Sequence, residues 1–598
     1  NRNIISLEAG KYVNESVTGT SSNRANPFVM IARHNTSENF GECFGFNLIY
    51  SGNHYEAAQV NSYGKLRIVT GINPSLFSYK IRAGESFETP EAVMTYGYAG
   101  FNSMSHNMHD FVNNHIGCGR WEDRARPILV NGWGASYFNI NEKKLLRLAK
   151  AGKEAGVELF VMDDGWFGER NDDTSSLGDW TPNEKKLPGG IREIADKIKA
   201  LGLDFGIWVE PEMVNVKSRL YEKHPEWVVD IPEKPHSEGR NQRILDLSNT
   251  EVQDYIIEQM SNIFSSADIS YVKWDMNRIF SDYYSKNLPP ERQGEMAHRY
   301  VCGLYHCMRE LTKRFPDILF EGCSAGGNRF DLGILCYFPQ IWASDNTDAL
   351  CRTQIQYNYS YGYPLSCISA HVSASPNHQT LRNMPLETRF AVAAFGNLGY
   401  EFNLCDLPKD EFMAVKAQIE LYKKWREVIQ YGTFYRRECF DNRNSRNHGV
   451  LNNGAGNNAS WCVASKDMSK AVGFTMQKLV VPNTQFACFF ANGLKDDAVY
   501  HFYNRRLKHN IKEFGELVNM VSPVHIKQGS LVQELASKFV KLDGETEDYT
   551  AYGDTLMYAG VKLKQSFSAT GYSEDVRLYQ DFAARLYFME EVNADDNA

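Results

Sequence analysis

Tyr271-Val272-Lys273-Trp274-Asp275-Met276-Asn277-Arg278 is a short apolar run that ends in a carboxylate flanked by an ammonium and a guanidinium. A run of this length suits a buried strand, so the polar groups that close it stand at the strand's C-terminal end. Lys273 and Arg278 both favour a charged Asp275, and a charged, positioned carboxylate is able to act as a nucleophile or to stabilise a cation. Alone, the octapeptide reads equally as an ion pair at a strand end. Two further acidic clusters, Met162-Asp163-Asp164-Gly165-Trp166 and Trp342-Ala343-Ser344-Asp345-Asn346-Thr347-Asp348, also follow short apolar runs. Three strand ends therefore present carboxylates with Trp beside them, a combination suited to a sugar site.

Working outward, the same plan repeats. Ile128-Leu129-Val130 leads into a helical period through Leu145, Leu148 and Ala149 that stops near Gly156. Leu159-Phe160-Val161-Met162 precedes a loop and then Ile191, Ile194, Ala195 and Ile198 before Gly202, and Phe205-Gly206-Ile207-Trp208-Val209 reads as a third strand. Thr250 and Gln253 resemble a capping box heading a helix that carries Val252, Tyr255, Ile256 and Ile263 into the opening octapeptide. Ile318-Leu319-Phe320-Glu321, Gln340-Ile341-Trp342, Pro364-Leu365-Ser366-Cys367-Ile368 and Gly399-Tyr400-Glu401-Phe402 complete a set of eight. Eight strands alternating with helices predict an α/β fold, a (β/α)8 TIM barrel over residues 119–432, whose chemistry belongs at the strand C-terminal ends. Before it, aromatic runs such as Phe44-Gly45-Phe46-Asn47-Leu48-Ile49-Tyr50 between Gly, Asn and Ser clusters predict an N-terminal β-sandwich portion over 1–118. After it, helical periodicity fades until residues 578–587, which predicts a C-terminal β-domain over 433–598.

A chain of 598 residues with 43% hydrophobic and 23% charged residues is globular and multidomain. A net charge of -9 without a long basic run argues against a nucleic-acid surface, and the lack of a long uncharged apolar stretch argues against a membrane span. Twelve scattered cysteines lack framework spacing and read as reduced, buried thiols. Cys302, His306 and Cys307 sit in a helical run and read as core rather than as metal ligands. The chain opens with Asn1, with neither an initiator Met nor a signal peptide in view. Localisation is weakly constrained, with the cytoplasm favoured.

In order along the chain come Asp163-Asp164-Gly165-Trp166-Phe167-Gly168, Gly178-Asp179-Trp180, Trp208-Val209-Glu210-Pro211-Glu212-Met213, Glu238-Gly239-Arg240-Asn241-Gln242, Lys273-Trp274-Asp275-Met276-Asn277-Arg278 and Ser344-Asp345-Asn346-Thr347-Asp348-Ala349. With these six segments the chain resembles the family 36 glycoside hydrolases, the retaining α-galactosidases and their α-N-acetylgalactosaminidase relatives. The resemblance implies that Asp275 is the nucleophile and Asp345 the general acid/base, with Asp348 the local competitor for the acid. It implies that Asp163 and Asp164 accept hydrogen bonds from the O4 and O6 hydroxyls of galactose. Two adjacent carboxylates would repel each other without a ligand or cation, which weighs against a mere turn cap. Arg240, Lys273 and Asn277 resemble pocket donors, Trp208, Trp133 and Trp342 resemble apolar walls for the sugar, and Cys323 and Gly326 resemble the positions facing its C2 substituent. No cofactor and no metal are implied. The partners implied are α-galactoside or α-N-acetylgalactosaminide oligosaccharides and glycoconjugates, and a homo-oligomer, a tetramer in many relatives.

The chain departs from the family pattern in three places. The usual Cys-Ser-Gly-Gly-Gly-Gly-Arg-Phe-Asp becomes Cys323-Ser324-Ala325-Gly326-Gly327-Asn328-Arg329-Phe330-Asp331, and the usual Trp-Glu becomes Trp133-Gly134. Loss of that glutamate predicts either a wider pocket beside C2, open to an acetamido or amino group, or a change in aglycone fit alone. The N-terminal region is also shorter than is usual, which suggests that the chain begins inside that domain. Two other classes compete. One is a barrel binding a divalent cation through Asp163, Asp164, Asp275 and Asp345, which the basic neighbours disfavour. The other is a catalytically idle carbohydrate-binding protein, disfavoured by retention of both carboxylates.

Overall fold

The computed structural model describes residues 3–117, 119–440, 456–480, 487–520, 522–566 and 576–592. Eight parallel strands close into a barrel: β1 (Leu129–Asn131), β2 (Leu159–Met162), β3 (Asp204–Val209), β4 (Tyr271–Trp274), β5 (Leu319–Gly322), β6 (Gln340–Trp342), β7 (Ile368–Ser373) and β8 (Asn397–Glu401). β8 closes on β1 through Gly399 opposite Leu129 and Tyr400 opposite Val130. The barrel strands are buried almost throughout, which is why they read as short, largely apolar runs, with Lys273 in β4 and Glu321 in β5 the buried charged exceptions among those cited: parallel strands are covered on both faces.

The helices carry their own start and stop signals. Over Glu142–Ala155 the Asn141 side chain accepts from Lys144 N–H, Leu145, Leu148 and Ala149 face inward, and Gly156 at φ 100° ends the helix in the left-handed region that glycine adopts without penalty. Burying each of those leucines is worth about 1.5–3 kcal/mol. Gly190–Ala200 buries Ile191, Ile194, Ala195 and Ile198, the spacing expected for it. The helix Thr250–Ser266 is capped one residue earlier than expected: Asn249 accepts from Glu251 N–H, so Thr250 is the first helical residue and no capping box forms.

Two compact units are present. The first comprises residues 1–348, 358–381 and 393–424 and holds the barrel strands together with two antiparallel N-terminal sheets, one of Gly10–Glu15, His54–Val60 and Leu66–Ile72, the other of Phe28–Ala32, Cys43–Leu48 and Ala92–Gly97. The second comprises 349–357, 382–392 and 425–598 and is built on a six-stranded sheet ordered Thr433–Glu438, Asn458–Ala464, Lys470–Gln477, Ala584–Glu591, Val499–Asn504, Asp548–Tyr552.

Four expectations need correction. The seventh strand is Ile368–Ser373 rather than residues 364–368, because Pro364, with fixed φ and no N–H, opens a tight turn over Leu365–Cys367. Residues 578–587 do not resume a helix: Ala584–Glu591 is an inner strand bonded on both sides, which accounts for the apolar run Leu586–Met589 within it. Of Cys302, His306 and Cys307, only Cys307 is core; Cys302 is exposed and His306 half-buried on the helix Met296–Arg314. All described cysteines are free, but only Cys43, Cys307, Cys323, Cys367 and Cys462 are buried. Among the described residues no helix is long and apolar enough to cross a membrane.

Candidate active site

In a closed parallel barrel every strand's C-terminal end lies on one rim. Asp163 and Asp164 follow β2, Glu210 follows β3, Asp275 follows β4, Cys323 follows β5, Asp345 lies three residues beyond β6, and Glu401 ends β8. The three acidic clusters singled out in the sequence therefore share that rim.

Asp275 is buried and takes four N–H groups. Its Oδ1 accepts from the backbone of Met276 at 2.8 Å and of Ala325 at 3.3 Å, and its Oδ2 from Asn277 Nδ2 at 2.8 Å and the Trp208 indole at 3.2 Å. The two cations beside it in sequence are not its hydrogen-bond partners. Lys273 Nζ donates to Asp163 at 3.1 Å, and Arg278 turns away to the carbonyls of Gln242 and Ser237 and to Ser281. Burial works against the Lys273 ammonium, but Asp163 first, and then Cys323, Glu401 and Asp275, hold its pKa well above the ordinary lysine value.

Asp163 also accepts from Asn131 at 2.7 Å, and its other oxygen receives Asp164 N–H. Asp164 is gripped by Arg170, whose Nε and Nη2 reach its oxygens at 2.8–3.2 Å. Burial raises the Asp164 carboxyl against the pull of Arg170. The two adjacent carboxylates thus have separate protein cations, Lys273 and Arg170, so their proximity does not itself require a bound ligand.

Asp345 is half-buried and accepts from the Trp342 indole at 2.9 Å. Burial first, and then the charge of Asp275, raise its pKa above the usual carboxylate range. Cys323 lies within the field of both carboxylates, which together with burial pushes its thiol well up. Asp348 is buried and accepts from Thr380 at 2.7 Å. Gly326 sits at φ 87°, and a Cβ there would fall 2.8 Å from the Asp345 nitrogen, so this loop meets the backbone of Asp345 as only glycine allows.

Trp342 has Lys273 Nζ 5.8 Å from its ring and His371 packed at 4.4 Å between centroids. Trp208 stacks on Phe167, and Trp133, half-buried just after β1, meets Tyr137 and Phe138 edge-on. Arg240 is not gathered into this hydrogen-bonded cluster. It is exposed at the tip of the Gly239–Gln242 turn, where Arg240 and Asn241 both adopt φ 54°, and it has no side-chain partner among the described residues. A non-glycine pair in the left-handed region is strained, and such strain concentrates where a side chain must be aimed.

Gly134, where the family pattern has a glutamate, packs against the end of β8. A Cβ on Gly134 would lie 2.4 Å from the Glu401 carbonyl oxygen, so the backbone at the end of β8 occupies the place of the missing side chain. Other participants were not singled out from sequence. Arg170 is one; its signal was a cation six residues after an acidic pair. Glu210 and Glu212 were visible only as letters of a motif. Glu210 accepts from Asn277 N–H at 2.5 Å, while Glu212 accepts from Arg329, Tyr300 and the Trp274 indole. Glu401 bonds His371 at 3.0 Å.

The family model described as Melibiase matches residues 86–432, and models of the N-terminal and C-terminal domains of glycosyl hydrolase family 36 match 2–82 and 458–589. Alpha-galactosidase AgaA of Geobacillus stearothermophilus is 47% identical over 494 residues, covering 83% of this chain and 66% of its own length. Alpha-galactosidase Mel36A of Lactobacillus acidophilus is 46% identical over 463 residues, covering 77% and 61%. The chain therefore spans just under two thirds of the length of these curated relatives. The crystal structure of AgaA superposes with a TM-score of 0.84 at 42% identity, covering 98% of this chain and 72% of that one; the alpha-galactosidase of Lactobacillus brevis gives 0.86 at 38%, covering 98% and 71%. Variants of AgaA have been crystallised in complex with raffinose and with stachyose.

Proposed function

The chain belongs to glycosyl hydrolase family 36, and from that premise we propose that it is an exo-acting α-galactosidase working by double displacement with retention. One observation carries the mechanism: two carboxyl groups on one rim in unlike settings. Asp275 is fixed by four N–H donors, and Asp345 is raised by burial and by the charge of Asp275. Such a division assigns nucleophile and acid. In the first step an Asp275 oxygen attacks C1 of galactose and the C1–O bond breaks. Asp345 gives its proton to the departing oxygen, leaving a β-galactosyl ester on Asp275. In the second step Asp345 takes a proton from water, the water oxygen attacks C1, and the ester bond breaks to release α-galactose.

Asp163 and Asp164, fixed by Lys273 and Arg170, have the remaining lone pairs to accept from the O4 and O6 hydroxyls. Lys273, Asn277 and Arg240 supply donors, Trp208, Trp133 and Trp342 apolar walls, and Cys323 and Gly326 the surface beside C2. Asp348 is assigned no proton-transfer role, since it is buried and held by Thr380. A galactoside is preferred over an N-acetylgalactosaminide because the relatives AgaA and Mel36A both carry the name alpha-galactosidase.

The test is proton NMR of the first sugar released from nitrophenyl α-galactoside, expected to be the α-anomer; a β-anomer would refute retention. Asp275→Ala should abolish turnover. Asp345→Ala should spare an activated aryl glycoside more than an oligosaccharide, whose leaving group needs the proton, and azide should restore part of its rate. Equal losses on both substrates without azide rescue would move the acid to Asp348.

A further inference from the structure

Residues 17–26, from the N-terminal portion, form an irregular strap that holds two active-site loops at once. On the loop after β4, Thr18 O accepts from Phe280 N–H at 2.9 Å and Val17 O from Tyr283 Oη at 2.8 Å. Gly19, at φ 74°, lies so close to Phe280 that a Cβ would fall 2.1 Å from the ring. On the loop after β5, Ser22 N–H donates to Asn328 O at 2.7 Å, and Ser22 Oγ bonds Gly327 O and accepts from Phe330 N–H. Asn26 Nδ2 donates to Phe330 O at 2.7 Å, while Ser21 and Ser51 donate to the two oxygens of Asp331. Asn23 Nδ2 donates to Asn328 Oδ1 at 2.9 Å. Asn328 is one of the two residues by which this loop departs from the usual family run, so the departure brings its own partner.

The held loop is under strain. Ala325 at φ 46° and Gly326 at φ 87° are consecutive left-handed residues, which for an alanine costs roughly 1–2 kcal/mol. That conformation aims Ala325 N–H at Asp275 and seats Gly326 on Asp345. From the other side Arg329, paired with Glu212, donates to Ser324 Oγ at 2.7 Å. The strap has a fastening of its own: His54 presents Nε2 to the carbonyls of Ser21 and Ala25 and Nδ1 to Glu56. Both ring nitrogens face acceptors, an arrangement that favours the doubly protonated ring.

We propose that this strap is a specificity-determining part of the catalytic site. Through Ser22 and the Asn23–Asn328 pair it holds residues 324–328 closed beside C2 of the sugar, admitting a hydroxyl and crowding out an acetamido group. The inference rests on the galactosidase reading above. Asn23 and Asn328 act here as positioning residues, working through the backbone of the loop.

The experiment compares kcat/KM on nitrophenyl α-galactoside and its 2-acetamido-2-deoxy counterpart for the wild-type chain, Asn23→Ala, Asn328→Gly and the double variant, with near-UV circular dichroism confirming the fold. Each single variant should shift the ratio toward the acetamido substrate by about fivefold or more, on the scale of one lost positioning hydrogen bond, and the double variant should add little. Ratios within about twofold of wild type, or a shift the other way, overturn the proposal. If Asn328→Gly fails to fold, Asn23→Ala decides alone, and Asn23→Ser replaces it if needed. A wild-type chain that cleaves neither substrate overturns the galactosidase reading and this inference together. One that cleaves the galactoside with unmoved variant ratios overturns this inference only.

Discussion

Replacing Glu210 by Gln should remove a decline in stability with pH that the wild-type chain carries. Glu210 follows β3, is fully buried, accepts from Asn277 N–H at 2.5 Å and lies 3.2 Å from Gln242 Nε2. Burial first and the charge of Asp275 second push its pKa to about 8, against the opposing pull of Arg170 and Asn277. The folded chain therefore keeps this proton at pH values where the unfolded chain, with an ordinary value of 4.5, has released it. Stability then falls as pH rises from the unfolded value toward the folded one, and the fall over that window amounts to roughly 4–5 kcal/mol at 1.36 kcal/mol per unit. Glutamine is neutral and nearly isosteric, so Glu210→Gln contributes no such fall. The orphaned Gln242 Oε1 fits a neutral Glu210: turned over, that amide accepts the carboxyl proton. Thermal unfolding of both proteins at about pH 5 and about pH 8 reads the effect directly, the variant gaining on wild type as pH rises. Parallel midpoints across that range would refute a protonated Glu210.

Arg170→Met should destabilise the chain by about 3–5 kcal/mol by leaving Asp164 buried and unpaired, with a smaller deficit in acid, where that raised carboxyl is protonated; thermal unfolding against pH measures both. Gly134→Ala should cost about 1–3 kcal/mol through its clash with the Glu401 carbonyl and leave the acetamido-to-galactoside kcat/KM ratio unchanged, which denaturation and the paired assay check. Burial lowers the His54 pKa, but Glu56 and the two carbonyls outweigh it and raise the value overall. Its contribution is therefore complete below the ordinary histidine value, about 6.5, and lost as pH rises through the higher folded one. The stability gap between wild type and His54→Gln should be widest in acid and narrow in alkali.

The barrel was legible because a strand covered on both faces is a short, largely apolar run, and because β2, β4 and β6 are each followed within three residues by a carboxylate. Where that logic lacked a marker it slipped: Pro364 sits beside an apolar run that it turns rather than extends, and residues 584–591 are apolar enough to suit either a helix or an inner strand. The gathering of acidic residues on one rim followed from the strand count, but their pairing did not. Lys273 neighbours Asp275 in sequence yet pairs with Asp163, 110 positions away, because the strand points its side chain into the barrel toward β2. Glu212, Arg329 and Tyr300 form a buried network across three segments, and only the closed barrel brings them together.

The placement of charge explains how one residue can serve as acid and then as base in the proposed reaction. Asp163 and Asp164 each have their own cation, and Asp275 is met by four N–H dipoles, but Asp345 receives only the Trp342 indole among the described side chains. Its elevation comes from burial and from the negative charge of Asp275, which together outweigh the opposing pull of Lys273. The first chemical step turns Asp275 into a neutral ester, so the electrostatic part of that elevation disappears when Asp345 has just given up its proton. Asp345 is thus a better acid after the first step than before it, and it remains deprotonated long enough to accept a proton from water. A cation bonded directly to Asp345 would undo this alternation by holding the carboxyl ionised from the start; here its hydrogen-bond donor is a neutral indole, and the opposing pull of Lys273 ranks below the charge of the nucleophile.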